Sequence, residues 1–213
     1  MLELAFACAG VDCDRFAVAP TLVFDVRITE HTGVPVHAMA LQCQIRIEPH
    51  RRVYDDDEAR RLVDVFGERS QWADSMHPFQ FATVTHLVPG FRDHTQVAIS
   101  VPCTYDMEVT CGKYFASLDG GDVPFVLLFS GSVFLSGGHG FTVERVPWHH
   151  ECSHLMPVSV WRDMMALHFG DSGWLRLRRE SIDAIRAYAA REAIPTWDQA
   201  VERLLKEAGW VPR

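Results

Sequence analysis

His149-His-Glu-Cys-Ser-His154 is the densest cluster of metal-capable side chains in the 213-residue chain. An extended backbone sends alternate residues to the same side, so a strand here would put His150, Cys152 and His154 on one face. Two imidazoles and a thiolate suit zinc. The spacing is neither the helical His-Glu-x-x-His of a metalloprotease nor a pair of cysteines two residues apart, and a strand would need a fourth ligand from elsewhere. The segment is therefore read as a histidine-rich exposed connector, and no bound metal is expected. The alternative is a metal-handling protein or a hydrolase that uses residues 149–154.

Other candidates for chemistry have plainer explanations. Ser130 and Ser132 flank Gly131, but Phe-Ser-Gly-Ser-Val is not a Gly-x-Ser-x-Gly elbow, and it falls inside a strand pattern rather than at a strand-to-helix turn. Ser136-Gly-Gly-His-Gly140 has the glycine content of a phosphate loop but no Gly-Lys-Ser/Thr and no helix after it, so it is read as a hairpin turn. Arg176, Arg178 and Arg179 precede a helical pattern, where cations oppose the helix dipole unless a carboxylate or a bound anion balances them. Pairing with the acidic face of the strand-rich part of the chain is the expectation, and an anionic ligand or an acidic patch on another protein is the alternative. Cys8, Cys13, Cys43, Cys103, Cys111 and Cys152 include no Cys-x-x-Cys and are expected to be free thiols of a cytosolic protein. No residue is assigned to catalysis or to a cofactor.

Composition narrows the partners. The formal charge is −8, and residues 1–156 carry 11 basic against 20 acidic side chains. An acidic surface repels phosphates, so nucleic acid is not an expected partner. No run approaches the ~20 apolar residues of a membrane helix, and Glu3 interrupts an apolar start that lacks a basic lead. A cytoplasmic protein with no membrane partner is expected.

These side chains must be positioned by strands first and helices later. The longest uncharged run, Val123 to Val146, reads as a central hairpin. Before it, Leu2 to Phe6 alternate as a short opening strand, Leu22 to Thr29 and Met39 to Ile47 as half-buried strands, and Phe79 to Val88 as a strand ended by a Pro89-Gly90 turn. Val97 to Val101 and Tyr105 to Val109 read as two more strands, and Lys113 to Leu118 as one helical turn. Asp55 to Gly67 switches to helical period, with Asp55 to Asp57 as N-terminal cap and Gly67 as stop. After Pro147 the period is helical: Pro157 to Gly170, a segment through Ile182, Ile185 and Ala189, and a third that starts at Thr196 with Gln199 at capping-box spacing. The expectation is a mainly β chain: an immunoglobulin-like antiparallel sandwich over residues 1–150 with one inserted helix, and a tail over 151–213 whose three short helices pack on it. Five of the six tryptophans lie at or after Trp148, as packing residues or as anchors for a partner.

Val123-Pro-Phe-Val-Leu-Leu-Phe-Ser-Gly-Ser-Val-Phe134, Val146-Pro-Trp148, Pro157-Val-Ser-Val-Trp-Arg-Asp163 and Ser172-Gly-Trp-Leu-Arg-Leu-Arg-Arg179, with Pro35-Val-His37 and Gln44 to Arg52, resemble an uncharacterised family of actinobacterial proteins over about Pro20 to Leu205. That family has no assigned activity or catalytic motif. Its members tend to be encoded beside high-affinity uptake nickel-iron hydrogenases. The resemblance implies a non-catalytic accessory or assembly role, with a hydrogenase subunit or maturation factor as the protein partner.

Overall fold

The computed structural model describes residues 2–104, 107, 111–137, 140–170 and 177–210. Period-2 alternation becomes β1 (Leu4–Cys13), β2 (Thr21–Glu30), β3 (Val36–Ile47), β4 (Phe79–Phe91), β5 (His94–Pro102), β6 (Asp122–Gly137), β7 (Gly140–Val146) and β8 (Glu151–Pro157). They form two sheets, β1-β2-β5 and β4-β3-β6-β7, with β8 also on β6, and every pairing is antiparallel. Leu22, Phe24, Val26 and Ile28 of β2 and Met39, Leu41, Cys43, Ile45 and Ile47 of β3 lose all contact with solvent. The alternation seen in the sequence is thus the inward phase of each strand. The two sheets share one core, because Phe24 meets the edge of Phe125 at 5.5 Å and Phe6 stacks on Phe129 at 4.3 Å between ring centroids. The chain is mainly β with antiparallel sheets.

The insertion after β3 holds short helices α1 (Asp56–Arg61), α2 (Val63–Phe66) and α3 (Trp72–Ser75). Asp55 caps the first, its carboxylate accepting from the amides of Asp57 and Glu58, and Gly67 closes the second at φ 75°. A buried ion pair ties the insertion to the strands. Arg52 donates to Glu58 at 2.6 Å and to the carbonyls of Gly120 and Asp122, while the Asp119 amide donates to the same Glu58 oxygen. α4 (Lys113–Ala116) places Tyr114 and Phe115 in the core, and α5 (Val158–Phe169) stacks Trp161 on Phe115 at 4.2 Å. The first compact unit is residues 1–170 and so includes α5.

Several boundaries differ from the sequence reading, each because of non-local pairing. β1 continues through Asp12 to Cys13 because β2 offers a partner along its whole length. Pro89 and Gly90 are not a turn: β4 runs through them to Phe91, which an edge strand permits, and the chain reverses at Asp93, φ 65°. The strand expected at residues 105–109 falls mostly outside the described residues, and Met107, which is described, is helical. Residues 151–157 are not a connector. They are β8, paired with β6 from Leu128 to Asp122.

The second compact unit, residues 171–213, contains α6 (Arg179–Arg191) and α7 (Trp197–Glu207). Thr196 caps α7 by accepting from the Gln199 amide at 3.3 Å. The Tyr188 hydroxyl donates to Glu207 at 2.9 Å, and Arg186 sits over the Trp197 ring. Among the described residues, no helix is long and apolar enough to cross a membrane.

Candidate functional site

β6 is 16 residues long, and no single neighbour covers its outer edge. β7 pairs with Gly131 to Gly137 and β8 with Asp122 to Leu128, so between them Phe129 and Ser130 face four residues, Pro147 to His150. The surplus leaves the sheet as a closed turn: the His150 amide donates to the Pro147 carbonyl at 3.3 Å, and the Phe129 amide donates to the His150 carbonyl at 2.9 Å. Such breaks re-aim a side chain. Here that side chain is Trp148, which is 87% exposed.

Gly131 fixes the base of the turn. Its φ is 144°, and a Cβ built on it would lie 2.1 Å from the Ala40 carbonyl oxygen, so β3 and β6 approach closely beneath Trp148. Two depressions of about 390 and 540 Å³ flank the indole and share Ser130 and Trp148. The first is lined by Gln42, Gln44, Thr83 and Leu128 besides those two, and the second by Ser132, Arg145 and Pro147. Hydrogen bonds hold the amides in place. Ser130 donates to the Gln42 side-chain oxygen at 3.4 Å, Arg46 donates to that of Gln44 at 3.3 Å, and Gln44 donates to Gln80 at 2.9 Å. The result is a hydrogen-bonding sheet face of amides and hydroxyls, flanked by Arg46 and Arg145, with the exposed Trp148 ring beside it.

The structure does bring His150, Cys152 and His154 to one side of the chain, but that side is the half-buried one. His150 lies against Phe6 at 5.4 Å, and burial together with the neighbouring His149 lowers its pKa. Burial, with Cys8 nearby, pushes the Cys152 thiol up to about 12; Cys43 is likewise raised to about 12 and Cys8 to about 11. Thiols so protonated are poor nucleophiles. Four residues of extended chain span roughly 13 Å, which spreads the three side chains from the end of the turn into β8. Among the described residues, no group of three or more His, Cys, Asp and Glu is placed to hold a metal ion.

Ser130, weighed as a nucleophile, donates to an amide oxygen, which is no base. Arg178 stands at the N-cap of α6 without a capping bond, beside Glu180 in the first turn, and Arg176 lies outside the described residues. Sequence reasoning missed the Gln42, Gln44 and Thr83 face. Its available signal was the outward phase of β3, Gln42-x-Gln44-x-Arg46, which reads only as a solvated face until Trp148 is set over it.

The model of a family of unknown function, DUF6084, matches residues 1–212. The chain belongs to that family. No curated protein matches its sequence. Among solved structures, β-glucosidase 3B from Thermotoga neapolitana, in complex with α-D-glucose, is similar at 8% identity and a TM-score of 0.27 over 72% of this chain and 17% of that one. A β-glucosidase from Kluyveromyces marxianus is similar at 6% identity and a TM-score of 0.26 over 73% and 15%. The chain thus spans less than a fifth of either.

Proposed function

We propose that the chain is a non-catalytic accessory or assembly protein that works by binding another protein, with Trp148 and the polar sheet face beside it as the docking surface. The observation that carries this reading is an indole 87% exposed on a turn that interrupts an otherwise continuous sheet edge. The indole meets the His149 ring edge-on at 6.1 Å between centroids and otherwise faces solvent. Tryptophan is enriched among the residues that anchor interfaces.

The scaffold suits that role. The orders β1-β2-β5 and β4-β3-β6-β7 correspond to strands A-B-E and C′-C-F-G, which supports an immunoglobulin-like sandwich as the topology. Six free cysteines support a reducing cytoplasm as its place of action. A subunit or maturation factor of an uptake nickel-iron hydrogenase is the proposed partner, on the resemblance described above.

Affinity purification from cells expressing the hydrogenase, with wild-type protein and Trp148→Ala side by side, tests the reading. A hydrogenase subunit or maturation factor recovered with the wild type and lost with the variant is the expected result. Equal recovery with both, or normal hydrogenase activity in a deletion strain, refutes it. A metal handler, by contrast, would lose function when residues 149–154 are replaced by serine and alanine.

A further inference from the structure

We propose that the Trp148 face takes a proline-rich segment in the polyproline II conformation. This rests on the docking reading above and names the chemistry of what docks.

Proteins recognise peptides in a few ways, and the geometry of this face opposes most of them. Strand addition needs an unbroken row of free backbone groups. Here the edge is interrupted at Pro147 to His150, and Pro147 has no N–H to offer. An amphipathic helix needs a wide apolar groove. The depression between Trp148 and β4 instead presents Gln42, Gln44, Thr83 and Ser130, with Leu128 as the other apolar side chain reaching solvent. A phosphorylated or acidic motif needs an arginine cluster, whereas Arg145 lines the second depression and Arg46, bonded to Gln44, lines neither, on a chain of net charge −8.

A polyproline II segment fits what is there. It has no internal hydrogen bonds, so its solvated carbonyls are open to donors, and each proline removes an N–H, which leaves acceptors in excess of donors. The face supplies uncharged donors. The Ser130 hydroxyl donates to the Gln42 side-chain oxygen, so what Gln42 has to offer a ligand is its two amide hydrogens. The Thr83 hydroxyl lines the same depression. Proline rings are compact, puckered and apolar, and pack their C–H groups on an indole face. Residues on one side of a polyproline II helix recur every third position, roughly 9 Å apart, so a segment crossing the face sets one ring in each depression with Trp148 wedged between. Little ordering entropy opposes binding, because the ligand is already extended.

The test uses the full-length ¹⁵N-labelled protein, a capped proline decamer and uncharged Pro-x-x-Pro peptides, observed through the tryptophan indole N–H resonances. Saturable movement of one resonance, assigned to Trp148 by its absence in Trp148→Phe, is expected. Trp148→Ala should weaken binding about 30-fold, as for an interface hot spot, and Gln42→Ala about 5-fold, as for one neutral hydrogen bond. Since both side chains are solvent-exposed, unchanged melting of each variant separates lost binding from lost fold.

No movement at millimolar peptide overturns the proposal. So does equal affinity in Trp148→Ala, or movement of the same resonance by a neutral oligosaccharide when no peptide causes any. If peptides fail while a partner is still captured through Trp148 in cells, the polyproline inference falls and the docking reading stands. If capture is independent of Trp148, the docking reading falls by itself.

Discussion

Gly131→Ala should be among the most damaging single-methyl additions available in this chain. The new Cβ would stand 2.1 Å from the Ala40 carbonyl oxygen and 3.2 Å from the Leu41 Cα, both backbone atoms of β3 that no side-chain rotation can move aside. At φ 144° the residue also occupies backbone space that L side chains rarely adopt. The dihedral strain costs about 1–3 kcal/mol, and displacing β3 from β6 adds about 1–3 kcal/mol of overpacking. The expected loss is therefore ~2–6 kcal/mol against a total stability of ~5–15 kcal/mol. In a urea titration this is a lower midpoint at unchanged slope. Gly120→Ala is the control, because nothing lies within 4 Å of its Cβ and its φ is not in the strained range; it should fall within about 0.5 kcal/mol of wild type. Should Gly131→Ala unfold within 1 kcal/mol of Gly120→Ala, roughly the scatter of such measurements, the close approach beneath Trp148 is not what the geometry implies.

Glu58→Ala strands the Arg52 guanidinium, whose side chain is 8% exposed, and should cost ~3–5 kcal/mol, whereas Arg52→Met with Glu58→Leu should recover most of that loss in chemical denaturation. Burial acts to raise the Glu30 pKa, but hydrogen bonds from the Thr32 hydroxyl and the Thr32 and Val34 amides outweigh it and hold the carboxyl below its ordinary value. The carboxylate form is then the one the fold favours, so its contribution is complete above the unfolded pKa of about 4.3 and is lost as pH falls through the lower folded value; Glu30→Gln should flatten that part of a pH–stability curve. A chain ending at residue 150 lacks β8 and the Trp161 ring stacked on Phe115, so it should fail to give a cooperative melt, while one ending at Gly170 should retain it by circular dichroism. Elemental analysis of untagged protein should find less than stoichiometric zinc or nickel, and one ion per chain that disappears in Cys152→Ala would restore the metal reading.

Local chemistry was legible wherever it was self-sufficient. Asp55 and Thr196 cap helices because a short side chain can reach amides two or three residues on, whatever the rest of the molecule does. β2 and β3 declare themselves because their alternation holds over a whole strand buried on one face. Cys43 belongs to that phase and is wholly buried for the same reason.

Pairing between distant segments was not legible. Pro89-Gly90 has the composition of a turn, yet it continues β4 because Ala38 lies opposite Pro89 and the His37 carbonyl lies too close to Gly90 for any side chain. His149 to His154 has the composition of a solvated connector, yet β6 extends nine residues beyond the reach of β7 and needs a second strand to satisfy its backbone groups. That need draws residues 151–157 into the sheet and leaves the surplus at 147–150 to lift Trp148 clear of it. The sequence by itself determined which residues face inward and where helices begin, since both depend on neighbours within a turn or a strand. The candidate site exists only in the tertiary structure. It is assembled where two strands share a third, and the register that assembles it is set by hydrogen bonds between residues more than twenty positions apart.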